Sequence, residues 1–138
     1  MFGVFRTYPI RVANRGEEYS GPCWFDSVET TFEDLGQPQE MTTVTGLPRR
    51  IFTFSQLQAQ AAITQNRMTR VFLNFCNYVP TFEGLFSLWE TLDRACAVTH
   101  LGFGPKASDI YHVGAPVIER AHVRKIWEQY RGLTASNS

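Results

Sequence analysis

Residues 42–50, TTVTGLPRR, bring hydroxyl, glycine and guanidinium groups together in one short segment. Threonine hydroxyls and the backbone N–H groups of a glycine-containing loop can donate to carboxylate or phosphate oxygens, and arginine binds such anions through two parallel hydrogen bonds. The same letters also fit a Thr-rich edge strand, a turn at Gly46, Leu47 and Pro48, and two solvated arginines. On residue types alone, an anion-binding loop and an ordinary turn both stay open.

Two further segments carry groups that could contact a ligand. Residues 77–80 and 102–109 are predicted to follow neighbouring strands, and the carboxyl ends of such strands line the ligand crevice of an open α/β sheet. Asn77 could both donate to and accept from a purine edge, or simply cap a turn. The GFGP sequence at 102–105 offers close backbone approach and a flat apolar wall, or a tight turn. It lacks the GxxxxGK[ST] spacing of a phosphate loop.

Composition limits what the chain can be. Its 138 residues are 43% hydrophobic, which is enough to fill the core of one domain and too apolar for a disordered chain. Equal numbers of basic and acidic residues give no overall field that would attract nucleic acid or an anionic membrane. A small anionic ligand held by a few arginines remains compatible with this balance. We expect residues 1–138 to be a single domain or the C-terminal portion of a larger one.

Cysteine and histidine usage argues against metal and nucleophilic chemistry. The three cysteines are far apart and form no CxxC pair, so neither a disulfide framework nor a zinc cage is expected. The three histidines show no ligand spacing, and no Ser/His/Asp or Cys/His set can be assembled. With no signal peptide and no long apolar run, the sequence predicts a cytoplasmic protein without a membrane partner.

The elements that would position these loops are predicted from hydrophobic periodicity. Residues 2–13 have the composition of a strand, with Pro9 marking an edge or an irregularity because proline has no N–H to donate. Residues 14–40 are polar and turn-rich, and only residues 30–36 offer a short helical turn. A loop of this length is usually functional, or it wraps another part of the structure.

From residue 51 onward, strands and helices alternate. Predicted strands cover residues 51–54, 70–79 and 97–101, and predicted helices begin after Ser55, after Thr81 and at Pro116. The first helix would bury Leu57, Ala61 and Ala62, and the last would bury a stripe that includes Ile118. This alternation predicts an α/β fold with a partial mixed sheet flanked by helices.

Four segments can be read together: RTYPIRV (6–12), TTVTGLPRR (42–50), RVFLNFCNY (70–78) and GFGPKASD (102–109). In this order and spacing they resemble the C-terminal half of adenylosuccinate synthetase, and particularly the phage-type relatives that make N6-succino-2-amino-2′-deoxyadenylate. The similarity spans most of residues 3–112 and implies the C-terminal part of a larger, P-loop-NTPase-related fold. Residues 116–131 are predicted to be an additional C-terminal helix without an assigned family role.

The resemblance implies a ligase of purine nucleotide biosynthesis. Such an enzyme joins L-aspartate to C6 of a purine monophosphate, IMP or dGMP, after a purine triphosphate has phosphorylated O6 in the presence of Mg2+. The substrate-binding positions that it implies are Arg11 and Val12 for the monophosphate, and Thr42, Thr43, Thr45, Gly46 and Arg49 for aspartate. The nucleotide-binding positions that it implies are Asn77, Gly104 and Pro105, as the walls around the base of the triphosphate.

Three positions depart from the family pattern. Leu47 stands where the leading arginine of the aspartate loop is expected, which weakens the expected grip on aspartate. Phe75 and Asn77 replace the Lys and Asp that select guanine. An aspartate accepts from the N1–H and N2–H groups of guanine, whereas an asparagine can pair with adenine, so ATP or dATP is expected instead of GTP.

The family's phosphate loop, catalytic Asp and general-acid His have no counterpart in this sequence. Phosphoryl transfer depends on positioning and charge neutralisation, so we expect no catalytic residue, no metal site and no ligase activity in the chain alone. Mg2+ would bind mainly to an N-terminal half acting as partner. Without that half, we expect an exposed apolar surface along the first strand and residues 14–40. Either the N-terminal half or a second copy of the chain would cover it. The alternative is a non-catalytic purine-nucleotide-binding or decoy module on the same fold.

Overall fold

Strands and helices alternate along the chain in the computed structural model, which describes residues 1–11, 26–43 and 46–132. The strands are β1 (Phe2–Arg6), β2 (Ile10–Arg11), β3 (Glu29–Thr30), β4 (Arg50–Phe52), β5 (Arg70–Asn74), β6 (Val98–Gly102) and β7 (Ile110–His112). The helices are α1 (Gln56–Asn66), α2 (Phe82–Ala95) and α3 (Pro116–Tyr130), with short 3-10 turns at Cys76–Tyr78 and Ala107–Asp109. The predicted α/β class with a mixed sheet is confirmed.

The main sheet has four strands in the order β1-β5-β6-β7. The first three are parallel, and β7 runs antiparallel to β6. Helical side chains from α1, α2 and α3 form one core with the strand residues Val71, Leu73, Val98 and Leu101. The carboxyl ends of β5 and β6 therefore lie side by side, as the sequence predicted for the loops that follow them.

The predicted strand over residues 2–13 is interrupted at Pro9, where the sequence indicated an edge or an irregularity, and residues 12–13 lie outside the described residues. The Thr7 N–H still donates to the carbonyl of Asn74 at 3.0 Å, but the chain then leaves the main sheet. It re-forms as β2, which pairs with β4 in a second sheet of order β2-β4-β3. Pro9 lies between the two strands, and its missing N–H explains why the ladder breaks there.

The first and last helices begin where predicted; α1 turns a different face inward, whereas in α3 the predicted Ile126 and Trp127 are buried and Ile118 is not. The Ser55 hydroxyl caps α1 by accepting from the N–H of Gln58 at 3.0 Å, and Pro116 opens α3. In α1 the buried residues are Ala59 and Ile63, whereas Leu57 is 47% exposed. The Leu57 N–H donates to the Asp26 carboxylate at 3.0 Å, so this position belongs to the capped first turn. In α3 Ile118 is 81% exposed, and the inward stripe runs through Val123.

The predicted strand over residues 70–79 ends early, at Asn74. The Asn74 carboxamide oxygen accepts from the N–H of Phe75 at 2.8 Å, and Phe75 adopts left-handed backbone angles (φ 61°, ψ 34°). A bulky side chain is uncommon in this region of backbone space, and such residues concentrate at functional sites. The chain consequently turns sharply at the end of β5 and enters the 3-10 turn Cys76–Tyr78. Among the described residues no helix is long and apolar enough to cross a bilayer.

Candidate nucleotide-binding site

A cavity of about 320 Å³ lies at the carboxyl ends of β5 and β6. Its lining residues are Gln37, Asn74, Phe75, Asn77, Tyr78, Gly104 and Pro105. The fold thus brings together the three positions that the sequence analysis assigned to the base of a nucleotide. The rings of Phe75 and Tyr78 and the ring of Pro105 supply apolar surface, and the amides supply hydrogen-bonding groups. This combination suits a flat heterocycle with polar edges.

The first wall of the cavity holds a buried acceptor without a donor. The Oδ1 atom of Asn77 is inaccessible to solvent, and no hydrogen-bond partner for it exists within residues 1–11, 26–43 and 46–132. Leaving such an oxygen unpaired costs about 1–3 kcal/mol, so native structures usually satisfy it with a ligand or water. The Asn77 backbone is fixed because its carbonyl accepts from Arg131 at 3.1 Å and from Gln37 at 3.4 Å. The first wall therefore has a fixed backbone at Asn77 and an unsatisfied side-chain acceptor.

The second wall is the loop from Gly102 to Asp109, and Asp109 closes it. One Asp109 carboxylate oxygen accepts from the Lys106 N–H at 3.0 Å, and the other accepts from the Tyr130 hydroxyl at 2.6 Å. The hydrogen bond from Tyr130, with that from Lys106, lowers the pKa of Asp109, and the same bond raises the pKa of Tyr130. A Cβ atom on Gly104 would lie 2.5 Å from the Asp109 carboxylate, so this position requires glycine.

Helix α3 and the residue after it hold both walls, a role that the sequence analysis did not assign. The indole N–H of Trp127 donates to the carbonyl of Val79 at 2.9 Å. The Arg131 guanidinium donates to the carbonyls of Leu35 and Asn77, both at 3.1 Å. Tyr130 anchors the second wall through Asp109. No local pattern signals these bonds, because their partners lie 21 to 96 residues away in the chain.

The described residues of the Thr-rich segment, 42–43 and 46–50, are joined by hydrogen bonds at its base. Met41 and Pro48 form a β-bridge, and the Thr42 N–H donates to the Leu47 carbonyl at 2.8 Å. The Thr42 hydroxyl accepts from the Leu47 N–H at 2.9 Å, so this side chain shapes the loop itself. Gly46 has φ 65°, which glycine adopts without strain. Thr43 is exposed.

The two arginines that end this segment have different environments. Arg50 is buried (9% exposed), grips Glu29 with two hydrogen bonds of 3.0 Å and lies over the Phe52 ring. The alternative of two solvated arginines is therefore wrong for Arg50. Arg49 is partly exposed, with its guanidinium 3.7 Å from the Glu40 carboxylate. Of the pair, Arg49 is the one placed to contact a ligand.

The remaining predicted positions are only partly described. Arg11 pairs with Arg50 in the register of β2 and β4, which fixes its backbone. Val12 and Thr45 lie outside the described residues, so their assignment to the substrate and to aspartate stays a prediction. In the part of the chain that the structure covers, no group of three or more His, Cys, Asp or Glu could hold a metal ion.

Glu40 is a central residue that the sequence analysis missed. Arg6 donates to its two carboxylate oxygens at 3.2 and 2.7 Å, and the Tyr78 hydroxyl donates to one of them at 2.7 Å. Burial favours a raised pKa for Glu40, but the hydrogen bonds from Arg6 and Tyr78 outweigh it and the pKa is lowered. Burial and the bond to Glu40 raise the pKa of Tyr78 to about 12.

Comparison with known proteins gives several close relatives, although no family model matches the chain. It is 52% identical over 131 residues to the N6-succino-2-amino-2′-deoxyadenylate synthase of cyanophage S-2L, covering 94% of this chain and 35% of that protein. It is 42% identical over 115 residues to the synthase of the same name from Acinetobacter phage SH-Ab 15497, covering 78% of this chain and 30% of the relative.

The fold agrees with these similarities. A solved structure of the cyanophage S-2L succinoaminodeoxyadenylate synthetase, bound to dGMP and to dATP as an energy donor, superimposes with a TM-score of 0.85 at 50% identity. The match covers 93% of this chain and 37% of that one. The chain thus spans about a third of the length of its relatives. The predicted resemblance to the phage-type, adenylosuccinate-synthetase-like enzymes is confirmed.

Proposed function

We propose that this chain, a homologue of part of the phage N6-succino-2-amino-2′-deoxyadenylate synthases, forms the triphosphate-base and aspartate subsites of a purine nucleotide ligase. The ligase would join L-aspartate to C6 of a purine monophosphate with hydrolysis of a purine triphosphate. The observation that carries the proposal is the cavity lined by Asn77, Gly104 and Pro105, in whose wall the buried Asn77 Oδ1 has no partner among the described residues. Of IMP and dGMP, the second is favoured because the cyanophage enzyme was solved with dGMP.

Adenine fits this cavity better than guanine does. A neutral asparagine side chain presents one acceptor and one NH₂ donor group, which complement the N6 amino group and the N1 acceptor of adenine. Guanine presents adjacent N1–H and N2–H donors, which need two acceptors such as those of a carboxylate. The dATP bound by the cyanophage relative supports the same choice. We therefore propose ATP or dATP as the phosphoryl donor.

The aspartate subsite is the 42–50 segment, with Arg49 as its cation. A partly exposed guanidinium beside a glycine turn can bind a carboxylate through paired hydrogen bonds. Thr43 and Gly46 lie at the exposed side of the turn, where backbone and hydroxyl donors can add to that grip. Leu47 contributes no charge here, so the subsite is expected to be weaker than one with a second arginine.

Phosphoryl transfer would require groups beyond these residues. Mg2+ would neutralise charge on the triphosphate, and we propose that the remaining part of the ligase holds it, since the described residues offer no cluster of ligands. That remaining part would also supply the catalytic acid and base, so the isolated chain is expected to bind nucleotide without ligating. A cytoplasmic location follows from the phosphorylated substrates and stays a prediction.

Nucleotide titration by calorimetry tests the base assignment. We expect the protein to bind dATP more tightly than dGTP, and Asn77→Asp to reverse that order because a carboxylate accepts twice from guanine. Each mispaired base edge should cost about 1–3 kcal/mol, which corresponds to roughly tenfold or more in affinity. Asn66→Asp is the matched control, because Asn66 is exposed at the end of α1. Tighter binding of dGTP by the unaltered protein would overturn the assignment.

A non-catalytic nucleotide-binding or decoy module is the second candidate, and Leu47 favours it. A loop that lacks its expected arginine could bind nucleotide without completing the aspartate subsite. Ligase assays with dGMP, dATP and L-aspartate separate the two functions. The assays compare the chain alone with a mixture that also contains the part of a relative that this chain does not match. Product formation only in the mixture supports the ligase, and nucleotide binding without product in any mixture supports the module.

A further inference from the structure

The second wall of the cavity is carried by a short hairpin at the end of the main sheet. Strands β6 and β7 are antiparallel, and their paired positions are His100 with His112, Leu101 with Tyr111, and Gly102 with Ile110. The loop between these strands is the second wall. Among the described residues β7 pairs with β6 alone, so the wall is tied to the sheet through this one hairpin.

Two histidines face each other at the base of this hairpin. The ring centroids of His100 and His112 are 4.9 Å apart, and the rings are nearly perpendicular, at 88°. The His100 ring also contacts the rings of Phe2 and Phe72, with centroids 5.6 and 6.1 Å away. Its Nδ1 lies 2.8 Å from the Thr99 hydroxyl. None of these contacts supplies a negative charge to His100.

A proton on this pair meets positive charge on both sides. Burial first, and then the neighbouring His112 and Arg70, lower the pKa of His100. Arg70 begins β5, the strand on the other side of β6, so the charged groups that act on His100 among the described residues are both basic. Like charges directly opposite each other weaken an antiparallel pair of strands. Protonation of the two histidines therefore destabilises the hairpin at its base.

We propose that the pair of His100 and His112 makes the second cavity wall sensitive to pH. In mild acid both rings take up protons, and their repulsion, with that of Arg70, opens the β6–β7 hairpin and loosens the wall. The Asp109 carboxylate keeps its bond to the Tyr130 hydroxyl in this range, because the pKa of Asp109 is itself lowered. Weaker nucleotide binding in mild acid follows, and only this consequence rests on the proposed function.

The pH range of the effect follows from the lowered pKa of His100. Because that pKa is lowered in the folded chain, the opened hairpin binds a proton more readily than the closed hairpin does. The stability of the hairpin is therefore fully present above about pH 6.5, the ordinary pKa of histidine, and decreases as the pH falls below it. The wall is accordingly most ordered at neutral pH and above.

Amide hydrogen exchange of the full chain without nucleotide, between about pH 7.5 and about pH 5.5, tests the proposal. The reporter is the Phe103 amide, which donates to the Asp109 carbonyl at 2.9 Å within the wall. Its protection factor excludes the intrinsic pH dependence of exchange and reports opening of the wall. We expect this factor to fall by about fivefold in mild acid, at the upper end of the effect of a cross-strand pair. His112→Gln and Arg70→Gln should each reduce the fall, because each removes one repelling charge.

The outcomes decide this inference separately from the proposed function. The matched control is His122→Gln, because His122 is exposed on α3. A fall in the unaltered chain and in His122→Gln, reduced in His112→Gln, supports the inference. A constant protection factor in the unaltered chain overturns it, and so does an undiminished fall in His112→Gln, or in Arg70→Gln if the first variant does not fold. Because no nucleotide is present, a failure of dATP to bind at any pH would remove only the proposed function.

Discussion

Asn77 and Gly104 define the cavity at the scale of single residues. Both stand at positions where chemistry restricts the choice of side chain: Asn77 lines the cavity and has a buried Oδ1 with no partner among the described residues, and Gly104 lies against the Asp109 carboxylate. The backbone conformation of Phe75 adds a third restriction, because it turns the chain so that Asn77 and Tyr78 face the same space. Local sequence patterns identified the first two of these residues as candidates, and the left-handed Phe75 was not foreseen.

Replacing Gly104 by alanine should damage the cavity. The added methyl carbon would lie 2.5 Å from the Asp109 carboxylate, closer than van der Waals contact allows. The second wall must therefore shift, at a cost of about 1–3 kcal/mol in the free energy of unfolding. We expect a lower melting temperature and weaker dATP binding. Gly114→Ala is the matched control, since the nearest atom to its new Cβ would be 3.8 Å away. Equal melting temperatures for both variants would contradict this explanation of Gly104.

At the scale of elements, α3 organises the site although it lines none of it. Trp127, Tyr130 and Arg131 reach three separate backbone or loop groups around the cavity. Residues 116–131 had no role by resemblance. The C-terminal end of this helix positions the cavity walls, because side chains of α3 and of the residue after it contact both of them.

Arg131→Ala should weaken dATP binding without unfolding the helix. It removes two charge-assisted hydrogen bonds, to the carbonyls of Leu35 and Asn77, and such bonds contribute about 1.5–3 kcal/mol each when intact. We expect about tenfold weaker dATP binding by calorimetry, with an unchanged helical circular dichroism signal. Arg124→Ala on the exposed face of α3 serves as the control. A variant with unaltered dATP affinity would show that the Asn77 carbonyl needs no such anchor.

At the scale of the whole molecule, β1 has a free outer edge. Within the described residues no strand pairs with β1 on the side opposite β5, and Val4 in this strand is 62% exposed. A groove of about 270 Å³ runs beside this strand between Phe5, Ile10 and Phe54. Parallel sheets are normally covered on both faces, and exposed edges invite pairing. Since the relatives are about three times longer, we propose that their remaining part packs here.

A charge at Val4 should block assembly. Val4→Lys would place an ammonium group on the apolar face, where burying it against a partner is costly. We expect loss of co-purification with the segment equivalent to the rest of the relatives, and loss of ligase activity in the mixture. Val117→Lys is the matched control, because Val117 is 75% exposed on α3.

The assembly result also decides between partners. Unchanged assembly of Val4→Lys would contradict docking at β1. Light scattering of the chain alone tests the other predicted arrangement, a homo-oligomer, which would appear as a mass that Val4→Lys reduces. A monomer that assembles only with the added segment supports the role of this chain as one portion of a larger ligase.

The sequence by itself determined the α/β class, the starts of the three helices and the candidate cavity residues Asn77, Gly104 and Pro105. Helix starts at Ser55 and Thr81 follow from side chains that bond to an N–H three residues later, and strand and helix periodicity is likewise local. The same periodicity places Asn77 and Gly104 near the ends of two neighbouring strands, although β5 ends earlier than predicted, at Asn74. These features need no knowledge of distant contacts, so a single sequence suffices to predict them.

Only the tertiary structure decided that α1 buries Ala59 and Ile63, that β1 and β2 belong to different sheets, and what holds the cavity. Arg6, Glu40 and Tyr78 meet although 34 and 38 residues separate Glu40 from its two donors. Arg131 meets Leu35 across 96 residues. Such contacts depend on how the sheet and helices pack as a whole, and no spacing along the chain encodes them. Local patterns therefore predicted which segments form the walls of the site. Long-range packing decided which side chains connect those walls.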